Sequence, residues 1–409
     1  MFDAMFSRLL RTLEPTSSTG LGKFRKYATI GDALGWDGVS FSEVCRVEDL
    51  KQTVLRKLRS YADSIPGESW AVDLGTGEIN PKLFELAAEA AMEGEQEVAD
   101  DIKVFIKDEP HKITKLTTNR YRLISCLSLE DQMVDRILFY PWVKAEVVAV
   151  DAVTAKAGWS PLPDGYKALE YQFPEEQALA VDKTAWDWTM PSWVVKAYFA
   201  IKMRQVREAS REYQWICLRR IMDVVGPNAI FRLPSGERLQ QQLWGLMKSG
   251  WYLTLSLNSM AQLCQHILAW ERLNLPYELP LVWAMGDDII ARWRGPQWLL
   301  PIYQHNLAMT GCIVKHVIID RQFAGFRFGD GTVTPLYKGK HQFTLRHLDP
   351  KNEVETILSY ATLYALSADD WLRPYYSKCG ATKANLRDWA MGLMPLSFDV
   401  PVEFRMWID

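Results

Sequence analysis

The chain has little net charge, few cysteines and no long apolar run. Its 47 Lys and Arg against 50 Asp and Glu leave a formal net charge of −3, which excludes a surface coated in basic charge. A polyanionic partner must then enter a locally basic channel rather than spread over an outer face. The six cysteines, at 45, 126, 217, 264, 312 and 379, form no Cys-x2-Cys pair. That spacing argues against a structural zinc and for reduced thiols in an intracellular compartment. No apolar stretch approaches the roughly 20 residues of a membrane span. In Met1 to Leu13, Phe6, Leu9, Leu10 and Leu13 share a helical face, but Asp3, Arg8 and Arg11 interrupt it, so it does not read as a signal peptide. Internal repeats, low-complexity tracts and Gly/Ser linkers are also lacking, so the lobes are expected to pack as one cooperative body. With 409 residues, 48% of them hydrophobic and 12% aromatic, the chain can bury a core large enough for two or three lobes. Trp186 and Trp188 are read as packing residues.

What the chain does carry is three polar signatures in one order. They are Asp182-Lys183-Thr184-Ala185-Trp186-Asp187, then Ser249-Gly250-Trp251-Tyr252-Leu253-Thr254-Leu255-Ser256-Leu257-Asn258-Ser259, then Gly286-Asp287-Asp288. Leu281 to Met285 and Ile289 to Trp293 are β-formers, so the Gly-Asp-Asp reads as the tight turn of a hairpin with two acids at its tip. A lone Gly-Asp-Asp is more often an ordinary turn. Adjacent acids between apolar strands repel, however, unless a cation neutralises them, which favours a divalent metal and calls for a further carboxylate. Asp182, at the end of the short apolar strand Ala178 to Val181, supplies it. Asp182 and Asp287, with Asp288 beside them, can bind two Mg²⁺ ions roughly 3.5–4 Å apart, with Mn²⁺ as the alternative ion, and so stabilise both oxygens of a nucleotidyl transfer.

Ser249-Gly250 reads as a loop opening a helix in which Leu253, Leu257, Met260, Cys264 and Ile267 recur at the spacing of a buried stripe. Thr254 and Asn258 are i and i+4 and share a face. Asp187 lies too far along to match Asp182 as a metal ligand. With Ser249, Thr254 and Asn258 it offers donors and acceptors suited to a ribose 2′-hydroxyl. Helix polars on a solvated face are the plainer alternative. Upstream, Lys107-Asp108-Glu109-Pro110-His111-Lys112 is followed by Lys115, Arg120 and Arg122, with Lys103 just before. Such a cluster of cations suits a triphosphate. Arg122 and Lys107 are expected on the phosphates, with Glu109 orienting a neighbouring cation; an exposed charged face is the alternative.

Taken together these segments resemble motifs A, B, C and F of RNA-dependent RNA polymerases of positive-strand RNA viruses, and most nearly those of the sobemovirus, polerovirus and barnavirus group. The resemblance runs from about Ser17 to His347. Tyr303-Gln304-His305 through Lys315 resembles motif D, which implies that Lys315 protonates departing pyrophosphate. Phe323 to Tyr337, read as a hairpin about the Gly329-Asp330-Gly331 turn with Lys340 following, resembles motif E, which supports the primer strand. Ala324-Gly325 stand there where many relatives carry Ser or Cys, so no side-chain contact is assigned to them. Ser17-Ser18-Thr19-Gly20 is the counterpart of motif G, which guides the template. The resemblance implies catalytic Asp182, Asp287, Asp288 and Lys315. It also implies a nucleotide site of Lys107, Glu109, Lys115, Arg120, Arg122, Asp187, Ser249, Gly250, Thr254 and Asn258.

The implied fold is an α+β right hand with fingers, a palm built on an antiparallel RRM-like sheet, and a small helical thumb. Fingers take 1–175, with an insertion at 193–248. The palm takes 176–192 and 249–345, and the thumb 346–409. Periodicity places helices at Glu85 to Glu93, Leu129 to Tyr140, Trp193 to Val224, Val354 to Leu366, Ala368 to Tyr376 and Leu386 to Leu393, and a hairpin around Pro234-Ser235-Gly236. The implied activity is replication of a viral RNA genome from ribonucleoside triphosphates in the host-cell cytoplasm. Implied partners are template and product RNA, a genome-linked protein primer and other viral replication proteins, through which membrane-associated complexes would form. A reverse transcriptase is the nearest rival. It would carry a bulky residue in place of Asp187 and an aromatic before its paired acids, where this chain has Met285-Gly286. An inactive RNA-binding replication subunit is a second alternative, against which the intact Asp182, Asp287, Lys107 and Arg122 weigh. A metal nuclease would need a water-activating residue, and none is identifiable.

Overall fold

A computed structural model describes residues 2–65, 98–111, 113–276 and 278–396. The expected helix at Glu85 to Glu93, and Lys112, lie outside the described residues. The eleven strands among them are β1 (Ile102–Ile106), β2 (Leu123–Cys126), β3 (Ala178–Lys183), β4 (Ile230–Arg232), β5 (Arg238–Gln240), β6 (Val282–Met285), β7 (Asp288–Arg292), β8 (Val314–Ile319), β9 (Gln322–Phe323), β10 (Phe326–Gly329) and β11 (Thr332–Pro335). Helices fill most of the remainder, so the class is α+β with largely antiparallel sheets. The chain forms two compact units, each assembled from separated segments. The first holds Met1–Lys107, Lys115–Ala145 and Ala185–Leu257, and the second Asp108–Thr114, Glu146–Thr184 and Asn258–Asp409.

In the first unit, β1 and β2 pair antiparallel, β4 joins β1 in parallel, and β5 closes the edge in the order β2-β1-β4-β5. The β4–β5 hairpin turns at Gly236, whose φ of 89° suits a residue without Cβ. The expected single helix from Trp193 to Val224 is two helices, Ser192–Gln205 and Arg211–Val225. The break has a local cause, because Ser210 caps the second helix by accepting the Tyr213 N–H. Buried charge ties these helices to their neighbours. Arg220 donates two hydrogen bonds to Asp135, at 2.6 and 3.0 Å, with Asp131 nearby. Asp131 is reached in turn by Lys57 at 3.0 Å. Removing one member would strand a buried charge at a cost of about 3–5 kcal/mol. The Ser17 to Gly20 loop packs on the chain before the helix Leu129–Val148: Thr19 O accepts the Leu129 N–H, and a Cβ on Gly20 would sit 2.5 Å from Leu127 O. Trp186 is buried as expected, but Trp188 is 55% exposed. It follows Trp186 by two in a single helical turn, which sends the two rings to different sides.

The second unit is centred on the sheet β6-β7-β3-β8, all antiparallel. Strands β6, β7 and β3 are apolar because both faces are covered, with β6 buried throughout, β7 buried from Ile289 to Ala291 and β3 buried except at Asp182. The outer edge of β6 is covered by the segment around Ala155: Thr154 O accepts the Ala284 N–H and Ala284 O accepts the Lys156 N–H. A meander, β9-β10-β11, follows β8. The expected hairpin around Asp330-Gly331 is present, and a second tight turn at Ala324-Gly325 precedes it. The final helices are shorter than periodicity suggests, at Glu353–Leu363, Arg373–Tyr376 and Lys383–Ala390. Pro374, near the start of the middle one, lacks the N–H that a longer helix would use. Among the described residues no helix is long and apolar enough to cross a membrane, and all six cysteines are free thiols.

Candidate active site

Antiparallel register brings the acids together. β7 and β3 pair Val181 with Ile289, so one step further Asp182 stands across from Asp288. β6 and β7 are joined by the two-residue turn Gly286-Asp287, closed by the Met285–Asp288 pair. Only Gly286 has positive φ, 64°, as a hairpin turn with glycine first requires. Asp287 therefore sits at the hairpin tip and Asp288 opens β7, each with exposed surface, while Asp182 is half-buried. Burial, followed by the charges of Asp287 and Asp182, pushes the Asp288 carboxyl up to about 7, and the N–H of Gly325 opposes this by donating to it. Among the described residues no three His, Cys, Asp or Glu side chains converge closely enough to hold a metal ion.

Cations already serve this acidic tip. Asp182 pairs with His316 and Lys183 with Val314, so Lys315 is an extra residue in β8, a bulge. The bulge turns Lys315 toward Asp182, and its Nζ lies 2.5 Å from Oδ2. Lys315 is exposed and Asp182 only half-buried, so water screens the pair, which adds little stability, and its significance is positional. Tyr337 closes the other side: its ring lies 3.4 Å from where a Cβ on Gly325 would be. Burial and then the charges of Asp288, Asp182 and Asp287 raise its hydroxyl pKa. Lys340, one turn further on, meets Glu109 at 3.2 Å. Glu109 was expected to orient a cation, and Lys340 is one the basic segment does not contain.

The helix Thr254–Glu271 corrects the sequence reading. Leu253 and Leu257 are buried, but Met260, Cys264 and Ile267 are only half-buried. The side fully withdrawn from water is mixed: Asn258, Ser259, Gln262, Gln265 and His266 are buried beside Leu257, Ala261, Ala269 and Trp270. Hydrophobic periodicity misreads part of this helix because its buried side is held by hydrogen bonds as well as by apolar packing. Ser259 Oγ accepts the Gly286 N–H at 3.0 Å, and His266 Nδ1 shares a hydrogen with the Tyr303 hydroxyl at 2.6 Å. Burial, then the neighbouring Lys183, lowers His266 to about 3, so the imidazole is neutral. Thr254, expected to share an open face with Asn258, instead donates back to the loop before it, at 2.7 Å to Lys248 O and 2.8 Å to Trp251 O. An N-terminal threonine has orphan loop carbonyls within reach, and these capture its hydroxyl.

In the first unit, Lys107 and Arg122 are fifteen residues apart in sequence yet directly opposed, because the Lys107 N–H donates to Arg122 O at 2.8 Å where β1 and β2 splay. Lys115 lies on the helix Ile113–Thr117, and its carbonyl accepts the Arg120 N–H at 2.9 Å; both side chains are exposed. Ser249 and Gly250 dock on the far end of β2. Ser249 Oγ accepts the Ser125 N–H at 3.3 Å, and the Gly250 N–H donates to Ser125 O at 3.2 Å. A Cβ on Gly250 would lie 2.5 Å from that carbonyl, so only glycine fits. Lys248, buried just before, is anchored to Gln241 and to Leu246 O, and burial lowers its ammonium to about 7. Asp187 is half-buried, and its carbonyl accepts the Met247 N–H at 2.8 Å, which brings the two signatures side by side.

The family model described as viral RNA-directed RNA-polymerase matches residues 45–159 and 197–316, more than half of the chain. The chain belongs to the viral RNA-directed RNA-polymerase family. It is 29% identical over 268 residues to an RNA-directed RNA polymerase of mushroom bacilliform virus, which covers 62% of this chain and 62% of that protein. It is 29% identical over 210 residues to the replicase polyprotein P2AB of Southern bean mosaic virus, covering 48% of this chain and 20% of the polyprotein. Protein P1-P2 of potato leafroll virus is 29% identical over 228 residues, covering 50% and 20%. The chain thus spans less than two thirds of each of these relatives, which represent the barnavirus, sobemovirus and polerovirus group expected from the motifs.

The matched segments of the polymerase family take in Lys107 to Arg122, Ser249 to Asn258, Gly286 to Asp288 and Lys315, and pass over Asp182 and Asp187. What the structure gives for those two acids is position alone: the β3 register for Asp182 and the backbone bond to Met247 for Asp187. Sequence reasoning overlooked Lys183, Ser125, Ser259, Gly325 and Tyr337 as supports. Lys183 gave a signal, since a lysine in an apolar strand at a buried register position needs partners.

Proposed function

We propose that the chain is an RNA-dependent RNA polymerase that extends RNA from ribonucleoside triphosphates, in a right-hand fold whose palm is the sheet β6-β7-β3-β8. In this reading the fingers are 1–175 and 193–248, the palm is 176–192 and 249–345, and the thumb is 346–409. The observation that carries the proposal is the register that sets Asp182 across from Asp288, with Asp287 in the adjoining turn. The charges of Asp287 and Asp182 raise the Asp288 carboxyl, and hard oxygen donors gathered in this way suit a divalent cation, Mg²⁺ or Mn²⁺, which Asp182 and Asp287 with Asp288 beside them would hold once oxygens of the nucleotide complete the set. When bound, such ions supply charge neutralisation at the oxygens where a phosphodiester bond forms and pyrophosphate leaves.

The chain's own residues do the remaining work. Lys107 and Arg122, held in cross-strand opposition, bind and orient the triphosphate. Lys115 and Arg120 add charge on the route in. Asp187, Ser249 and Asn258 read the ribose, while Gly250 and Thr254 shape the loop that carries Ser249. Lys315 holds the proton that pyrophosphate needs on leaving, and Glu109 fixes Lys340. Template and product RNA are the macromolecular partners. A genome-linked protein primer, other replication proteins and a cytoplasmic site on membranes reached through partners complete the proposal, and they rest on the family resemblance alone.

Incubating the purified chain with a homopolymer RNA template, with and without primer, tests it. Incorporation of only the complementary ribonucleotide, dependent on template and divalent cation, is expected. Equal or better use of deoxyribonucleotides would indicate a reverse transcriptase, and RNA binding without incorporation an inactive subunit.

A further inference from the structure

The buried polar residues of the helix Thr254–Glu271 reach β3 through Lys183. Lys183 follows Asp182 on that strand and is 7% exposed. The bulge at Lys315 interrupts the ladder between these two residues, with Asp182 half-buried and Lys183 directed into the protein. The Lys183 ammonium donates to the side-chain oxygens of Gln262 and Gln265, the latter at 2.6 Å. Both glutamines are fully buried. Gln265 continues the chain by donating from Nε2 to Thr310 Oγ1 at 2.8 Å, and Thr310 donates to Leu307 O at 2.7 Å. Gln262 Nε2 has no acceptor, so the oxygen facing Lys183 is the amide's one hydrogen-bonding connection. The same helix, one turn earlier, holds the Gly286 N–H through Ser259.

Strand β3 and the β6–β7 turn are thus each fastened to one helix, at positions 259, 262 and 265, which lie along one side at three-residue spacing. A buried ammonium costs several kcal/mol in lost hydration unless its donors are met. A methionine or leucine would fill the same space without that cost. The polar solution adds direction, since hydrogen bonds fix where β3 sits along the helix whereas apolar contact allows sliding.

We propose that Lys183, with Gln262 and Gln265, is a positioning latch: it fixes Asp182 to the helix that, through Ser259, also fixes the turn bearing Asp287, and so sets the separation of the two carboxylates. The inference rests on the polymerase reading above and adds a residue group to it. Because the latch acts on the geometry of the reacting centre, it governs turnover rather than capture of nucleotide.

The test compares wild type, Lys183→Met, and the apolar triple Lys183→Met/Gln262→Leu/Gln265→Met, in primer extension and in thermal melts. Lys183→Met strands two buried amides and should lower both Tm and kcat. The triple variant replaces the ammonium and both amides with apolar side chains, so Tm should return to near wild type, while kcat stays at least about tenfold down with KM for nucleotide within about threefold. Recovery of kcat together with Tm would overturn the latch and leave Lys183 a purely structural group. If Lys183→Met does not fold, Gln265→Met, which keeps the bond to Gln262, reads the same split of kcat against KM. A wild-type chain that incorporates no nucleotide sinks the polymerase reading instead, and that result is distinct from an active wild type with a fully active triple variant.

Discussion

Two four-stranded sheets, one in each compact unit, solve opposite electrostatic problems. β2-β1-β4-β5 is thin and half-wet: β4 is half-buried and β5 exposed along their whole lengths, and the side chains proposed to act there are cations at the open end of a hairpin. β6-β7-β3-β8 is dry through β6, β7 and β3, and the side chains proposed to act there are acids at a tight turn. Cations that must meet a mobile polyanion can stand on an exposed ladder, because their long stems reach out from it. Short carboxylates that must share a small cation have no reach. Their separation is set by the backbone itself, which requires a rigid, buried sheet beneath them.

The largest effect should come from breaking the acidic sheet's site. Asp182→Asn or Asp287→Asn is expected to reduce primer extension by at least about a hundredfold while the circular-dichroism melt stays near wild type, since removing a repelling acid rarely destabilises. More than a hundredth of wild-type extension in either variant would remove these carboxylates from the reaction. On the basic sheet, Arg122→Ala should lower kcat/KM for nucleotide by about ten- to a hundredfold, raising KM and lowering kcat together, with a smaller change in RNA affinity. A variant that binds nucleotide normally and has lost RNA would make the basic hairpin a template surface.

Ribose selection gives a smaller and more specific effect. Asn258 is buried, and an unpaired buried polar group costs about 1–3 kcal/mol, or about five- to two-hundredfold in selectivity. Asn258→Ala should therefore slow ribonucleotide addition and narrow the preference over deoxyribonucleotides on one primed template. Equal slowing for both sugars would place ribose reading elsewhere. The smallest effect concerns Asp288 in chelator. Its folded carboxyl is raised to about 7 from 3.8, so between those values the folded chain holds a proton that the unfolded chain has lost, and stability falls as pH rises through that window. Asp288→Asn should match wild type near pH 4 and exceed its Tm by about 1–3 °C at pH 8, a small gain because water screens this partly exposed group. An unchanged difference at both pH values would mean that Asp288 is not strained by its neighbours.

Much of the acidic sheet was legible from residues alone. Gly286 between two β-forming runs specified a tight turn, and the short apolar run ending at Asp182 specified a strand, because both signals are local. What could not be read was pairing at long range. That Lys107 opposes Arg122, that Ser249 rests on Ser125, and that Glu109 meets Lys340 depend on register and tertiary contact, which no local pattern encodes. The Thr254–Glu271 helix was misread in part for a different reason: apolar spacing marks only the apolar share of a buried side, and here Ser259, Gln262, Gln265 and His266 are drawn inward with Leu257, Ala261, Ala269 and Trp270. Gly325 escaped notice because its contribution to Asp288 comes from the main chain, where residue identity carries no signal.

The bulge in β8 carries a conflict between smoothness and use. Deleting Lys315 would leave Val314 opposite Lys183 and His316 opposite Asp182, an unbroken ladder with no residue to spare. Such a shortened strand should melt no earlier than the native one and lack the ammonium beside Asp182. Natural variation in this strand should accordingly leave its length and the lysine at its bulge alone, because on the proposed mechanism the residue that makes the ladder imperfect is the one the reaction retains.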